Sequence, residues 1–374
     1  MAIAAAAAAS PATAGVAGWE HPGFDAEDSY YNPTESVIDE SGVGRLERRW
    51  SVRLRDSGFS RPIVAGDRVI AIDGRGISAY SISDGSSLWH FDEDGVVPAM
   101  AVSGGLLIAA SGDRLTALDL TSGKVRWQRA LANPIRAVVV DRGVVVVSGW
   151  SPSDAEKVAA YRAADGEALW SKSGWGTTGV SLNGVIMMRK TDGYGLADGG
   201  TSAIDILDGS LRWSELANWT AEAAFDGLFY VSDARGDLLA VDGTDGAVLW
   251  TASLSSRARH TGGSVGPAHI ADPAPIARPV RGANALIAVD GRRIYRAFSR
   301  SVEALDVRDG RRVWSTRLAR EAGQPIRAGG LVHAGGAVLR AADGVLLKPS
   351  FPGRVIVSGG TVYGVSGSDL VAFR

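Results

Sequence analysis

The segment ALDLTSGKVRW, residues 117–127, is one of six copies of a single eleven-residue pattern in this chain of 374 residues. In every copy an Ala stands ten positions before a Trp, and a Gly stands four positions before it. The copies end at Trp89, Trp127, Trp170, Trp213, Trp250 and Trp314. Consecutive Trp residues are 37 to 43 positions apart, except for a last step of 64. A period of this length predicts a repeat architecture more firmly than local propensity does.

Each copy predicts the outer hairpin of a small antiparallel sheet. Its first half alternates as a strand does, and its Gly supplies the positive φ of a short hairpin turn. Val125 and Trp127 then share one face of the returning strand. Two further strands precede each hairpin, so one repeat contains about four strands in roughly 40 residues. Units of this size and content are typical of β-propeller blades.

Two further units are weaker than the six. Residues 338–348 keep the turn Asp and Gly but lack the Ala and the Trp. The last strand, residues 369–373, ends before any turn, and its missing outer strand is predicted at residues 46–52, which include Trp50. We therefore expect an all-β fold: an eight-bladed β-propeller of four-stranded antiparallel blades, in which an N-terminal strand closes the last blade.

The repeated pattern resembles the tryptophan-docking repeat of the PQQ-like (quinoprotein alcohol dehydrogenase-like) β-propellers. The resemblance covers about residues 45–374, and the lead-ins GWEHPGFD (18–25) and YYNP (30–33) share it. In that family the Trp of one blade packs against the Ala of a neighbouring blade. A WD-repeat propeller matches less well, because the Trp-Asp ending and the His of that repeat are absent. The predicted domains are a signal-peptide-like or disordered Ala-rich tail (1–18), an N-terminal arm (19–44) and the propeller (45–374).

Composition excludes several classes of function. The net charge of −2 gives no indication of nucleic-acid binding. With no Cys in the chain, we expect no disulfide, thiolate metal site, cysteine nucleophile or lipid anchor on a Cys. The Ala-rich stretch 2–17 resembles a secretory signal without its positive start, and no later segment is apolar enough to span a membrane. We expect a secreted or periplasmic (cell-envelope) location, with a cytoplasmic location as the alternative.

Loop lengths favour one face of the ring as the working face. The repeated Gly turns are short and uniform, and they lie on the same side as the turns between first and second strands. The second-to-third loops and the crossovers between blades lie on the opposite side, the crossover face. The irregular segments 149–156, 190–202 and 255–281 all belong to that face. Function concentrates where loops depart from a scaffold pattern.

Seven residues of the crossover face are candidates for ligand or partner binding. The aromatic ones form a predicted patch for a sugar, a peptide or a flat cofactor, and the cationic ones belong to a predicted lid or anion-binding arm: Trp150, Trp175, Tyr194, Trp219, Arg257, Arg259 and His260. The alternative for the aromatic residues is packing at the ends of blades. The alternative for the long segment is a solvated, Pro-rich loop.

The family resemblance also implies a quinoprotein dehydrogenase, which holds PQQ and a calcium ion over the propeller axis. This chain departs from those enzymes in its shorter length, in lacking a vicinal Cys pair, and in offering no recognisable set of calcium ligands with a catalytic Asp. It also contains no nucleophile elbow, phosphate loop or zinc motif. We therefore expect no catalytic residue, no metal and no cofactor, with PQQ and calcium as the alternative.

The expected function is that of a non-catalytic binding or scaffold propeller, which engages a protein or a cell-envelope polymer through its crossover face. Short PQQ-like propellers include a scaffold lipoprotein of outer-membrane β-barrel assembly and extracellular sensor domains. The alternatives are a PQQ- and calcium-dependent dehydrogenase and a carbohydrate-binding propeller. The sequence predicts no oligomeric state.

Overall fold

A computed structural model describes residues 18–58, 60–93, 97, 99–151, 154–191, 197–253, 286–348 and 354–374. Its strands form eight sheets around a central axis, and the sheets are numbered here as blades 1 to 8 in chain order. The prediction of an eight-bladed, all-β propeller is confirmed. Before blade 1 come β1 (Tyr31–Asn32), a 3-10 helix (Val43–Arg45) and β2 (Arg48–Arg53).

Within each blade, the strands follow one another from the axis to the rim, and neighbouring strands pair antiparallel. In blade 4, the short strands Trp175–Gly176 and Ser181–Leu182 share the innermost position, because both pair with the same second strand. Blades 1 to 3 contain β3 (Ile63–Ala65), β4 (Arg68–Asp73), β5 (Gly76–Ser81), β6 (Ser87–Asp92); β7 (Ala99–Ser103), β8 (Leu106–Ser111), β9 (Arg114–Asp119), β10 (Val125–Ala130); β11 (Ile135–Asp141), β12 (Val144–Ser151), β13 (Asp154–Arg162) and β14 (Ala168–Ser173). Blades 4 and 5 contain β15 (Trp175–Gly176), β16 (Ser181–Leu182), β17 (Val185–Thr191), β18 (Ala197–Asp205), β19 (Leu211–Glu215); β20 (Thr220–Phe225), β21 (Leu228–Ser232), β22 (Leu238–Asp242) and β23 (Val248–Ala252).

The remaining blades complete the ring. Blades 6 to 8 contain β24 (Leu286–Val289), β25 (Arg293–Phe298), β26 (Ser301–Asp306), β27 (Arg312–Arg317); β28 (Ile326–Ala328), β29 (Leu331–Ala334), β30 (Ala337–Arg340), β31 (Leu346–Lys348); β32 (Arg354–Ser358), β33 (Thr361–Ser366) and β34 (Asp369–Phe373), with β2 outermost in blade 8. The short β1 adds to blade 7 as a parallel neighbour of β28.

Burial falls from the axis to the rim, which explains the hydrophobic pattern of each repeat. The second strand β8 is almost entirely buried, because blades cover both of its faces. In the outer strand β10, Trp127 is buried and every other residue is exposed. A nearly continuous apolar run therefore marks an inner strand, and a lone Trp among polar residues marks an outer one.

Seven Trp side chains join neighbouring blades through the same contact. Each indole Nε1 donates a hydrogen bond of 2.7 to 3.1 Å to a backbone carbonyl at the third-to-fourth turn of the next blade. The donors are Trp50, Trp89, Trp127, Trp170, Trp213, Trp250 and Trp314, and their acceptors are Ile82, Leu120, Ala163, Ile206, Gly243, Val307 and Ala341.

The turn glycine is required on the receiving side of this contact. Gly123, for example, has φ +68°, and a Cβ at this position would lie 2.7 Å from the ring of Trp89. The Trp89 ring thus contacts a Gly and a backbone carbonyl of the next blade. The repeated Ala lies elsewhere, since Ala117 is opposite Trp127 in the ladder of its own blade. Replacing the Gly would strain the backbone and push the ring away.

The eighth junction, between blades 7 and 8, has no indole. Lys348 stands opposite Val338 where the other repeats have their Trp. A small apolar cluster fills the space instead. It contains Ile38 and Val43, both buried, from the segment before β2, and the partly buried Leu46 and Leu347 pack against it.

The two ends of the propeller meet in blade 8, as the sequence predicted. The outer strand β2 pairs antiparallel with β34, so that Trp50 lies opposite Ala372. Glu47 and Arg374 exchange two backbone hydrogen bonds, of 2.9 and 3.1 Å, beyond that pairing. The ring is therefore closed by hydrogen bonds between residues more than 300 positions apart in the chain.

The N-terminal arm crosses the innermost strands of the blades, on the side of the first-to-second turns. It makes hydrogen bonds to seven blades, in the order Trp19–Val64, Glu20–Val102, Ala26–Ser181, Glu27–Ala224, Ser29–Val289, Tyr30–Arg327 and Asn32–Val357. Three of its non-glycine residues have positive φ, namely Phe24, Asp28 and Tyr30. Such conformations persist where surrounding contacts hold them.

Candidate interaction face

Trp150 lies at the crossover end of β12, where blade 3 departs from the regular pattern. The ladder between β11 and β12 is irregular between Ile135 and Ala137, and Arg136 lies at that irregularity. The guanidinium carbon of Arg136 sits 4.4 Å from the centroid of the Trp150 ring. Arg136 is exposed and Trp150 is half-buried. This stacked cation and indole form an accessible pair of the kind that protein interfaces favour.

Beside this pair, a buried polar network joins blade 3 to blade 4. Ser148 donates a hydrogen bond of 2.9 Å from its hydroxyl to Glu156 Oε1, and the backbone N–H of Thr177 donates to Ser148 Oγ at 3.4 Å. Glu156 is 3% exposed, and its Oε2 has no hydrogen-bond partner among the residues that the structure describes. Gly176 permits the approach, because a Cβ there would lie 2.4 Å from the Glu156 carboxyl carbon.

Trp175 and Trp219 belong to different junctions. Trp175 is half-buried against the cluster between blades 3 and 4, which includes Val158 and Met188. Trp219 is 6% exposed and packs between blades 4 and 5 beside Trp213. The structure thus places Trp150 and Trp175 on adjacent blades at the crossover face, while most of the Trp219 surface is covered.

Four of the seven predicted site residues cannot be placed. Tyr194, Arg257, Arg259 and His260 lie outside the described residues. Their assignment to a patch or a lid stays a prediction.

A second polar region, which sequence reasoning missed, lies on the opposite side of the ring. There the N-terminal arm and the inner turns of blades 2 to 4 enclose a cavity of about 880 Å³. Its lining is rich in ionisable groups: Glu20, His21, Asp25, Glu27, Asp141 and Arg142. The run of acidic residues between positions 20 and 28 was the available signal, but nothing in it indicated that the arm follows the axis.

Burial shifts the pKa of several groups in the arm. It raises the pKa of Glu27 to about 7, and the nearby carboxylates of Asp25, Asp141 and Asp226 add to this shift. The pKa of Asp28 rises to about 8 for the same two reasons, burial and the charge of Asp25. Burial lowers the pKa of His21 to about 4. The arm is therefore seated most favourably when these groups are neutral.

The ionisable side chains of the described residues can be compared with the needs of a bound metal ion. Among the described residues, no three His, Asp or Glu side chains are placed to hold one metal ion. The calcium that accompanies PQQ in quinoprotein dehydrogenases needs six to eight oxygen ligands. The described residues offer no such ligand set and do not fit a calcium ion, so no catalytic step is routed through it. No helix in the described part of the chain has the length and apolar character to cross a bilayer.

Comparison with known proteins gives relatives that share part of the chain. The outer membrane protein assembly factor BamB of Bordetella pertussis is 28% identical over 200 residues, which is 51% of this chain and 50% of that protein. The serine/threonine-protein kinase AfsK of Streptomyces coelicolor is 28% identical over 217 residues, 57% of this chain and 26% of the kinase. The chain thus matches about half and about a quarter of the lengths of these relatives.

Among solved structures, quinohemoprotein alcohol dehydrogenase from Comamonas testosteroni shares the fold. The two superpose with a TM-score of 0.71 at 14% identity, over 96% of this chain and 80% of the dehydrogenase. At this identity the likeness shows the fold alone. Overlapping matches to one family model cover residues 46–138, 94–220, 133–272 and 217–369. The chain therefore belongs to the PQQ-like propeller family whose model is described as "Outer membrane protein assembly factor BamB".

Proposed function

We propose that this protein is a non-catalytic binding propeller of the cell envelope, which engages a protein partner through the crossover face of blades 3 and 4. The match of residues 46–369 to a family described as an assembly factor carries the proposal. The B. pertussis relative bears the same description. A role in assembling envelope proteins is accordingly the most specific form of the proposal.

The geometry of blade 3 supports the choice of face. Arg and Trp are the residue types that most often dominate binding energy at protein interfaces. Arg136 and Trp150 present both types, stacked and accessible, at the end of a blade.

Site-specific photo-crosslinking in the envelope fraction tests this proposal. A photoreactive amino acid at position 150 is expected to capture one protein partner. The same probe at position 211 is the control, because Leu211 is 62% exposed on the outer strand of blade 4, away from the crossover loops. Equal capture at both positions would contradict the proposed face.

The purified partner then allows a quantitative test. Arg136→Ala and Trp150→Ala are each expected to weaken binding by about tenfold or more, as interface hot spots do. The melting temperature of each variant should stay near that of the wild type. Unchanged affinity in both variants would remove Arg136 and Trp150 from the interface.

The seven indole contacts, in this proposal, act as the tryptophan-docking device of the family and keep the ring rigid around its binding face. The hydrogen bonds from Nε1 to the next blade support this assignment. A rigid scaffold that presents variable loops is a common arrangement for recognition.

Two alternatives are separated from this proposal by ligand addition. Saturating PQQ with calcium is expected to leave the melting temperature unchanged, whereas a native-state cofactor would raise it. Cell-wall glycan fragments, which would occupy a carbohydrate site, are expected to compete poorly with the protein partner. A clear rise in melting temperature with PQQ and calcium would favour the dehydrogenase instead.

A further inference from the structure

Blade 6 differs from the other blades at one structurally matched position. In seven blades, the residue that accepts the indole N–H also donates its own backbone N–H to the first-to-second turn. The acceptors in that turn are Asp67, Gly105, Gly143, Gly184, Gly227, Arg292 and Gly330. Five of the seven are Gly, and blade 6 alone among them presents a cationic side chain there.

Blade 6 also has an Arg at two neighbouring positions. Arg293 follows Arg292, where the matched positions of the other blades hold Arg68, Leu106, Val144, Val185, Leu228 and Leu331. Arg308 follows Val307, where the others hold Ser83, Thr121, Ala164, Leu207, Thr244 and Ala342. Blade 6 therefore brings three Arg residues together at a place where no other of these blades has more than one.

These three Arg residues line one cleft. The cleft measures about 380 Å³, opens to solvent and is lined by Gly291, Arg292, Arg293, Asp306, Val307 and Arg308. This volume lies within the range of small-molecule sites. With three cations and one carboxylate in the lining, its formal charge is positive.

The carboxylates around the cleft are already engaged. Arg308 binds Asp306 through two hydrogen bonds, of 2.9 and 2.7 Å, and these bonds lower the pKa of Asp306 to about 2. Asp290 accepts the backbone N–H groups of Arg292 and Arg293, and its other oxygen accepts from Arg327 and Tyr295.

The strongest bonds of these carboxylates thus go to groups other than the guanidinium groups of Arg292 and Arg293, although the charge of Arg293 helps to lower the pKa of Asp306. Neither guanidinium forms an ion pair with any residue in the described part of the chain. Arg292 is exposed and Arg293 is half-buried. Arg293 stands directly opposite Asp306 in the ladder, so its side chain starts from the wall of the cleft.

We propose that the blade 6 cleft binds a phosphate-bearing anion, held by Arg292 and Arg293 with Arg308 behind them. Planar guanidinium groups match phosphate oxygens in pairs, which is why Arg dominates phosphate recognition. A soluble phosphate ester and a phospholipid headgroup share this chemistry. The site lies on the face opposite the crossover loops, so it is independent of the proposed protein interface.

Isothermal titration with glycerol 3-phosphate, at ionic strength held constant with sodium chloride, tests the soluble source. Co-sedimentation with phosphatidylglycerol vesicles, against phosphatidylcholine vesicles, tests the lipid source. The double variant Arg292→Gln, Arg293→Gln is expected to weaken whichever binding is seen by about tenfold or more. Arg300→Gln is the matched control, because Arg300 is exposed at the second-to-third turn of the same blade.

Binding of either probe that falls in the double variant and persists in Arg300→Gln supports the site, and the probe that binds identifies the source. Two results would overturn it. One is equal binding by the wild type and the double variant. The other is an absence of binding to both probes. Thermal unfolding of each variant confirms that the loss is local.

Discussion

Seven junctions of this ring and the eighth solve the same packing problem in different ways. At the seven, one indole covers a turn glycine and donates to a carbonyl of the next blade. At the eighth junction, the space between blades is filled by Ile38, Val43 and Leu46, and none of these residues belongs to a blade. The repeated contact is local to two adjacent repeats, whereas the eighth depends on chain from the other end of the molecule.

This difference shows how a linear repeat becomes a closed ring. In blade 8, the turn that would receive an indole is replaced by two separate segments of the chain, in which Glu47 precedes β2 and Arg374 follows β34. No Gly turn is available there, so a Trp in blade 7 would have no partner of the usual kind. The N-terminal segment that supplies β2 also supplies Ile38, Val43 and Leu46. The same stretch of chain therefore closes the ring and fills its eighth junction.

The largest expected effect concerns a repeated junction. Trp127→Ala should lower the free energy of unfolding by about 3–5 kcal/mol, because it removes a large buried ring and leaves a cavity between blades. Urea unfolding followed by circular dichroism measures this change. Arg126→Ala is the control, since the Arg126 side chain is exposed on the same strand. Equal effects of the two variants would show that the indole is not a structural contact.

At the eighth junction, Ile38→Ala should cost about 2–5 kcal/mol, as truncation of a buried Ile does. Its neighbour Val37 is 63% exposed, and Val37→Ala should be close to neutral. The same urea titration compares them. If Ile38→Ala were as mild as Val37→Ala, the arm would not seal this junction.

Replacing the turn glycine of a repeated junction should destabilise the protein less than removing the indole, and a second glycine provides a matched control. Gly123 and Gly112 both have positive φ, but a Cβ at Gly112 would meet nothing within 4 Å. Both Ala variants bear the backbone cost, and Gly123→Ala additionally displaces the Trp89 ring. We expect the free energy of unfolding of Gly123→Ala to be about 1–3 kcal/mol below that of Gly112→Ala. The urea midpoints of the two variants measure this difference when their m-values are equal. Matching midpoints would mean that the ring adjusts freely.

The arm adds a pH dependence that the indole junctions lack. The pKa of Glu27 is about 7 and that of Asp28 about 8, against ordinary values of 4.5 and 3.8. The Glu27 and Asp28 carboxyls hold more protons in the folded state than in the unfolded state, so they lower stability as pH rises. The buried His21 and His333, whose pKa values are lowered to about 4, act in the opposite direction up to about pH 6.5. The net fall in stability is therefore expected between about pH 6.5 and 8. The effect should be the smallest of the four, because solvent reaches part of the arm.

Thermal unfolding across this pH range measures the dependence. The double variant Glu27→Gln, Asp28→Asn should flatten the decline relative to the wild type. The groups facing this pair are Asp25, Asp141, Asp226 and Tyr30, and they are unchanged in the variant. A wild-type decline that persists in full would assign it to other carboxylates.

Much of the scaffold could be predicted from sequence because each blade repeats a local physical pattern. A turn Gly, a lone Trp and a nearly apolar inner strand recur six times, and the degenerate unit at residues 338–348 and the split unit bring the blade count to eight. The closing strand was also predictable, since residues 369–373 lack an outer partner and residues 46–52 contain a matching Trp50. The pairing of Trp50 with Ala372 confirms that prediction.

The path of the arm across the blades could not be predicted, because its contacts follow no period. The arm binds the blades mainly through backbone hydrogen bonds, as Ala26 and Glu27 do. Because any residue type can make such a bond, these contacts produce no recognisable sequence pattern. The blade 6 cleft was missed for a related reason. The hydrogen bonds of the structure show that Arg292 occupies the position held by Gly105 and Gly143 in other blades. The sequence alone does not reveal this equivalence.

For the candidate residues Trp150 and Trp219, position in the repeat predicted the side of the ring but not the exposure of the side chain. Trp150 and Trp219 both lie near crossovers, yet Trp219 fills a junction and Trp150 stays accessible. Burial at a blade end depends on the neighbouring blade, which the repeat pattern does not encode.

Closure by the two chain ends is tested most directly with an introduced disulfide. Arg53 and Asp369 are opposite one another in the ladder and both are exposed, and the chain has no native Cys to interfere. Arg53→Cys with Asp369→Cys should form an intramolecular bond under mild oxidation, seen as a cross-linked peptide by mass spectrometry, and should raise the melting temperature. Arg53→Cys with Leu216→Cys, in the crossover after blade 4, should not. A failure of the first pair to cross-link within one chain would contradict a ring closed by its termini.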